Sequence, residues 1–154
     1  MMDELRELYQ EVILDHGKHP RNFGTPESYN HTAQGFNPMC GDMLVLYLSV
    51  DEAGVIQDVT FKGQGCAISM ASASMMTEIL PGKTVAEAEK LFGAFHDMCT
   101  HDNAAQPEGV DEDALERLQV LSGVREFPVR VKCATLAWHT MDAAVHDKGE
   151  ISTE

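Results

Sequence analysis

Leu44-Val45-Leu46-Tyr47-Leu48-Ser49-Val50, then Asp51-Glu52-Ala53-Gly54, then Val55-Ile56-Gln57-Asp58-Val59-Thr60-Phe61 is the stretch on which the fold turns. Two runs rich in Val, Leu, Ile and Tyr flank a short acidic stretch ending in glycine, which is the composition of a β-hairpin and its turn. Gly63-Gln64-Gly65 follows, and two glycines there let the backbone turn tightly out of the second strand. A helix is predicted from near Cys66 to near Pro81-Gly82, so the hairpin runs directly into helix.

Upstream, Leu5, Leu8, Tyr9, Val12 and Ile13 share one helical stripe that His16-Gly17-Lys18-His19-Pro20 interrupts, which predicts a short amphipathic helix. From Arg21 to Met39 the chain is rich in Asn, Gly, Pro and Ser without a period, and reads as an irregular ordered segment. Downstream, Thr84 and Glu87 have the spacing of a capping box, predicting a helix over Val85 to Met98 with Ala88, Leu91, Phe92 and Phe95 inward. Thr100 to Asp113 is polar and aperiodic. Leu115, Leu118 and Leu121 mark a short helix ended by Gly123, and a last helix is expected over Val131 to Val145. No internal repeat or low-complexity linker separates these elements. They are expected to share one core over residues 1–154, a single domain of α+β class with a small antiparallel sheet against about five helices.

A chain of 154 residues that is 44% apolar suits one compact domain. Its formal net charge of −14, from 25 acidic against 11 basic side chains, repels phosphate backbones and anionic lipid, so nucleic acid is not an expected partner. The charged opening MMDELRELYQEV does not read as a signal peptide, and no stretch is long and apolar enough to span a membrane; a cytoplasmic protein is expected. In that reducing setting four cysteines point to metal ligands or reactive thiols in preference to disulfides.

Three of those cysteines are expected where elements begin: Cys40 before the first strand, Cys66 at a helix start and Cys133 at another. A thiolate near a helix N-terminus gains from the helix dipole and the free backbone N–H groups. Asp42 lies two residues from Cys40, and in an extended strand both side chains point to one side, so both can reach one ion. Cys40, Asp42, Cys66 and Cys133 thus make a candidate ligand set. Three thiolates and a carboxylate suit a tetrahedral divalent ion, zinc above all. Spacing alone leaves a shared metal site and inert buried thiols equally open, because structural zinc sites usually pair their cysteines closely. Asp42 reads equally well as a turn cap after Gly41.

The flanking residues narrow the choice. Asn37-Pro38-Met39-Cys40-Gly41-Asp42, then Phe61-Lys62-Gly63-Gln64-Gly65-Cys66-Ala67-Ile68-Ser69-Met70-Ala71-Ser72, then Lys132-Cys133-Ala134-Thr135-Leu136-Ala137-Trp138 resemble the three metal-site motifs of the IscU-like, or NifU N-terminal-like, family of iron–sulfur cluster assembly proteins. Asp15-His16 and His19-Pro20-Arg21-Asn22 resemble the family's opening helix and the turn after it. In the scaffold branch of the family a histidine precedes the third cysteine. Lys132 stands there in this chain, and Thr100 to Asp113 resembles the longer insertion of the SufU branch. The SufU resemblance implies a zinc-dependent sulfurtransferase in which zinc holds Cys40, Asp42, Cys66 and Cys133. It further implies that Cys40 accepts persulfide sulfur from a SufS-type cysteine desulfurase, that a downstream Suf cluster-assembly scaffold receives the sulfur, and that Arg130 and Lys132 support the thiolates. The alternative it leaves is a scaffold on which those four residues carry a transient iron–sulfur cluster.

Other residues draw plainer readings. Cys99 with His96, His101 and Asp102 could pass for a second metal site, but a surface helix end with a free thiol is the preferred reading. His16, His19, His31, His139 and His146 read as surface or capping histidines, and His139 is expected on a different helix face from Cys133. Met70, Met75 and Met76 read as core filler. The acidic excess reads as a solvated exterior.

Overall fold

The computed structural model describes residues 2–101 and 109–152. In chain order the elements are α1 (Met2–Lys18), β1 (His31–Asn37), β2 (Asp42–Val50), β3 (Ile56–Gln64), α2 (Ala67–Ile79), α3 (Val85–Thr100), α4 (Glu112–Leu118), a 3-10 helix (Gln119–Glu126), α5 (Pro128–Val145) and β4 (Glu150–Ser152). The sheet order is β3-β2-β1-β4. The hairpin of β2 and β3 is antiparallel as expected, and β1 adds antiparallel to β2. The architecture is α+β, although β4 pairs parallel with β1, so the sheet is mixed where a purely antiparallel one was expected.

β1 lies inside the segment that reads as irregular in the sequence. Its inward positions are Ala33, Gly35 and Asn37, all small or polar, so the apolar alternation that announces a strand is missing. Gly35 is required by packing: a Cβ there would lie 2.0 Å from Thr140 Oγ1, because α5 crosses directly over β1. α5 itself begins at Pro128, ahead of the expected Val131. Proline at the first helical position carries no N–H to leave unpaired, and its fixed φ suits the helix. Gly123 does not end the short helix either, since α4 passes at Leu118 into the 3-10 helix that continues to Glu126.

One cluster of buried side chains joins sheet and helices, with Trp138, Phe61, Phe95, Leu46 and Met76 at its centre. Met70, Met75 and Met76 are buried in it, as core filler should be. α2 packs between α1 and α5, and polar side chains on it tie the three together. Ser72 donates from Oγ to the Ala134 carbonyl at 2.5 Å and accepts from Trp138 Nε1 at 3.2 Å. Ser74 Oγ accepts from the Arg21 backbone N–H at 2.8 Å and lies 2.7 Å from His16 Nδ1. His16 is therefore buried and not on the surface; burial, with the nearby Arg21 charge, pulls its pKa below the usual 6.5. Cys99 is likewise buried, which corrects the reading of a surface thiol, and burial pushes its pKa up to about 12. Cys99, His96 and His101 do not converge on a metal-binding group among the described residues, and Asp102 lies outside them, as does the rest of 102–108 in the polar segment. No described helix is long and apolar enough to cross a membrane.

Candidate metal centre

Asn37 ends β1, Asp42 opens β2, and the two are paired across the ladder, so both side chains leave the sheet on one face. The turn between them needs Gly41 at φ +72°, the left-handed region that glycine enters without strain. Cys40 sits in this turn, half-buried, its N–H donating to the Asn37 carbonyl at 3.2 Å. The β2–β3 register sets Met43 opposite Gln64, which carries Gly65 and Cys66 up to Asp42. The Cys66 backbone N–H then donates to Asp42 Oδ1 at 2.9 Å. A Cβ on Gly65 would come within 2.6 Å of that same oxygen. The glycine thus makes room for the carboxylate. Cys66 is the N-cap of α2, and its Sγ accepts from the Ser69 N–H at 3.5 Å.

Cys133 comes from α5, but past its first turn, since the helix starts at Pro128. The dipole benefit expected for a cysteine at a helix start falls off within that turn and does not carry to Cys133. What holds Cys133 in place is burial at 1% exposure, the Cys40 Sγ at 3.0 Å, and Asn37 Nδ2, which donates to its sulfur at 3.3 Å and to Asp42 Oδ2 at 3.2 Å. Burial raises the Cys133 pKa, and the Cys40 thiol and Asp42 carboxylate beside it raise it further.

Of the four candidate ligands, Cys40, Asp42 and Cys133 bring their ligand atoms within 4.8 Å of one another. Cys66 stands outside that group but lines the same cavity of about 640 Å³ as Cys40 and Cys133. Asp42 is 2% exposed and makes no ion pair with a cation among the described residues. A buried carboxylate and two buried or half-buried thiols with no cation among them are an unfavourable set unless something positive joins them. A divalent ion that accepts sulfur and oxygen meets that need, so the donor chemistry fits zinc and equally fits iron.

Arg130 lies at the cavity's edge, its guanidinium 4.5 Å from the Phe127 ring centre. Met39, Phe127 and Val129 add exposed apolar surface around the rim. Lys132 turns the other way and lines a separate cavity with His139, so it does not stand over the thiolates. Asn37 is the residue sequence reasoning passed over. It is fully buried, bonds two candidate ligands, and leaves its Oδ1 without a partner. Its signal was its place at the head of the first cysteine motif, but only strand pairing reveals the contact.

The profile of the family described as NifU-like N terminal domain matches residues 8–134, and the chain belongs to that family. Over 138 residues, covering 90% of this chain and 89% of the relative, it is 40% identical to the zinc-dependent sulfurtransferase SufU of Bacillus subtilis. It is 39% identical over 145 residues to the iron–sulfur cluster assembly scaffold protein IscU of Streptococcus pyogenes, covering 94% of this chain and 86% of that one. Among solved structures, the SUF-system iron–sulfur cluster assembly scaffold protein of Fervidobacterium islandicum superposes with a TM-score of 0.78 at 34% identity, covering 90% of this chain and 97% of that one.

Proposed function

We propose that the chain is a zinc-dependent sulfur acceptor and carrier, taking persulfide sulfur from a SufS-type cysteine desulfurase and passing it to a downstream scaffold for iron–sulfur cluster assembly. The observation that carries this reading is the position of Cys40: half-exposed in a turn, yet 3.0 Å from the buried Cys133 sulfur and within ligand range of Asp42. Cys40, Asp42, Cys66 and Cys133 would hold the zinc, which when bound keeps thiols deprotonated at neutral pH. Asp42 is oriented by the Cys66 N–H and the Asn37 amide, so it cannot swing away from the group. Cys40 has the freedom to meet an incoming group. Its thiolate attacks the outer sulfur of the desulfurase persulfide; the new S–S bond forms on Cys40, the old one breaks, and the desulfurase cysteine leaves as thiolate. No oxidant or reductant enters. Arg130 at the rim offers positive charge to the anionic persulfide, and Lys132 plays no direct part.

The test is to purify the protein aerobically, measure its metal, and titrate it into a desulfurase assay as wild type and as Cys40→Ala. Sulfur transfer predicts about one zinc per chain and a rate gain that the substitution abolishes. A protein that arrives with iron and sulfide and leaves the desulfurase rate unchanged supports the scaffold alternative instead.

A further inference from the structure

We infer that the chain carries a second binding site, for a small anion, on the α5 face that bears Lys132 and His139. A cavity of about 530 Å³ opens there between α5, the end of α3 and β4. That is within the usual size range of a small-molecule site. Its lining includes His96, Lys132 and His139, and not one Asp or Glu among the described residues. This stands out in a chain with 25 acidic side chains and a formal charge of −14.

Among the described residues the side chains of these three have no polar partner. Lys132 makes no ion pair or hydrogen bond among the described residues, and the contacts of His96 and His139 are ring packing, with each other at 5.9 Å between centroids and with Phe92. Burial, with the neighbouring His96, pulls the His139 pKa below the usual 6.5, so its imidazole offers a neutral N–H, and the carboxylate near it, Asp142, lies 3.5 Å from His146 Nε2. Cys99 at the cavity floor stays a neutral thiol and adds no opposing charge. Val131 and Ile151 provide apolar wall. A lining with one ammonium, two imidazoles and no carboxylate among the described residues complements an anionic head, and the apolar wall suits a compact hydrocarbon body beside it. The ligand class is therefore a small organic anion with a carboxylate or phosphate head. The site shares no candidate metal ligand and does not depend on the sulfur-transfer reading.

The experiment is a titration of the full, zinc-loaded chain with sodium benzoate and, separately, inorganic phosphate, read from the His96 and His139 imidazole resonances. Saturable shifts with either probe are expected, and which one saturates identifies the head group. Lys132→Gln should weaken the saturating probe about tenfold through loss of one charge-assisted bond, and His96→Asn should weaken it as well. Zinc content and melting temperature report that each variant is folded. Linear, non-saturating shifts with both probes overturn the proposal, as does unchanged affinity in folded Lys132→Gln.

Discussion

Replacing Gly65 with alanine strikes the candidate metal centre without changing a ligand. The added Cβ would lie 2.6 Å from Asp42 Oδ1, 3.1 Å from its Cγ and 3.2 Å from its Cβ, where ordinary contact begins at 3.4 Å. The carboxylate must retreat by roughly 0.8 Å, several times the distance tolerance of about 0.2 Å that a metal site allows. The retreat also stretches the 2.9 Å bond from the Cys66 N–H, the contact that orients Asp42. Loss of such an orienting contact lowers metal affinity by about 10- to 100-fold, or roughly 1.4 to 2.7 kcal/mol. The fold should suffer less. The clash is with a side chain, Gly65 is outside the left-handed region, and alanine recovers about 0.4 to 1 kcal/mol by restricting the unfolded chain. Chelator competition for zinc, run beside a melt of the metal-free protein, separates the two effects. Wild-type zinc affinity in Gly65→Ala would refute the reasoning, since it would mean that Asp42 is free to leave its place without consequence for the metal.

Gly35→Ala should do the reverse and damage the fold, because its Cβ would meet Thr140 Oγ1 at 2.0 Å and Leu136 Cδ1 at 3.2 Å under α5. Overpacking of this kind costs about 1 to 3 kcal/mol by chemical denaturation, and Thr140→Ala in the same chain should restore most of it. Asn37→Ala removes the donor shared by Asp42 and Cys133 and should weaken zinc about tenfold or more, read by the same chelator competition. His16, depressed by burial and facing Arg21, Arg117, Asp15 and Glu78, is neutral in the folded state and takes up a proton more readily when unfolded. Its contribution is complete above 6.5 and is lost as pH falls through the lower folded value, so His16→Asn should flatten the fall in denaturation midpoint below neutrality. Iodoacetamide at pH near 8 should leave Cys99 unlabelled in the native protein and label it after denaturation, since the thiol is buried and its pKa stands at about 12.

The parts of this molecule that were legible in the sequence are those whose cause is local. The β2–β3 hairpin follows from two apolar runs and a turn, and the capping box is realised in both directions, Thr84 Oγ1 accepting from the Glu87 N–H at 3.1 Å and Glu87 Oε1 from the Thr84 N–H at 3.0 Å. Cys66 as N-cap of α2 is equally local. β1 was not legible, because its buried face consists of Ala33, Gly35 and Asn37 and gains its shape from the helix laid over it. β4 has three residues and exists by pairing with β1, a partner more than a hundred positions away. The candidate site divides along the same line. Cysteine and aspartate announce themselves by chemistry, whereas the work of Asn37 and Gly65 depends on which residue faces which across two ladders.

That dependence bears on why the cysteines are not interchangeable. Cys66 is tied to the first turn of α2 through the Ser69 N–H, and Cys133 is locked inside α5 with the Asn37 amide on its sulfur, so neither can follow an incoming group without disturbing a helix. Cys40 rides on a turn beside Gly41, where even an added Cβ would meet nothing within 4 Å, and its backbone N–H bonds to the Asn37 carbonyl. Burial and the crowd of anionic groups raise the Cys133 pKa, so in the absence of a cation that thiol holds its proton and is a poor nucleophile. Cys40 and Cys66 are both half-buried, and of the two only Cys40 lies outside a helix terminus, in a turn. Under the proposed sulfur-transfer function, the backbone each sulfur is attached to assigns two to anchoring and one to reaction, and this predicts that Cys40→Ser abolishes sulfur acceptance while leaving more zinc bound than Cys133→Ser does.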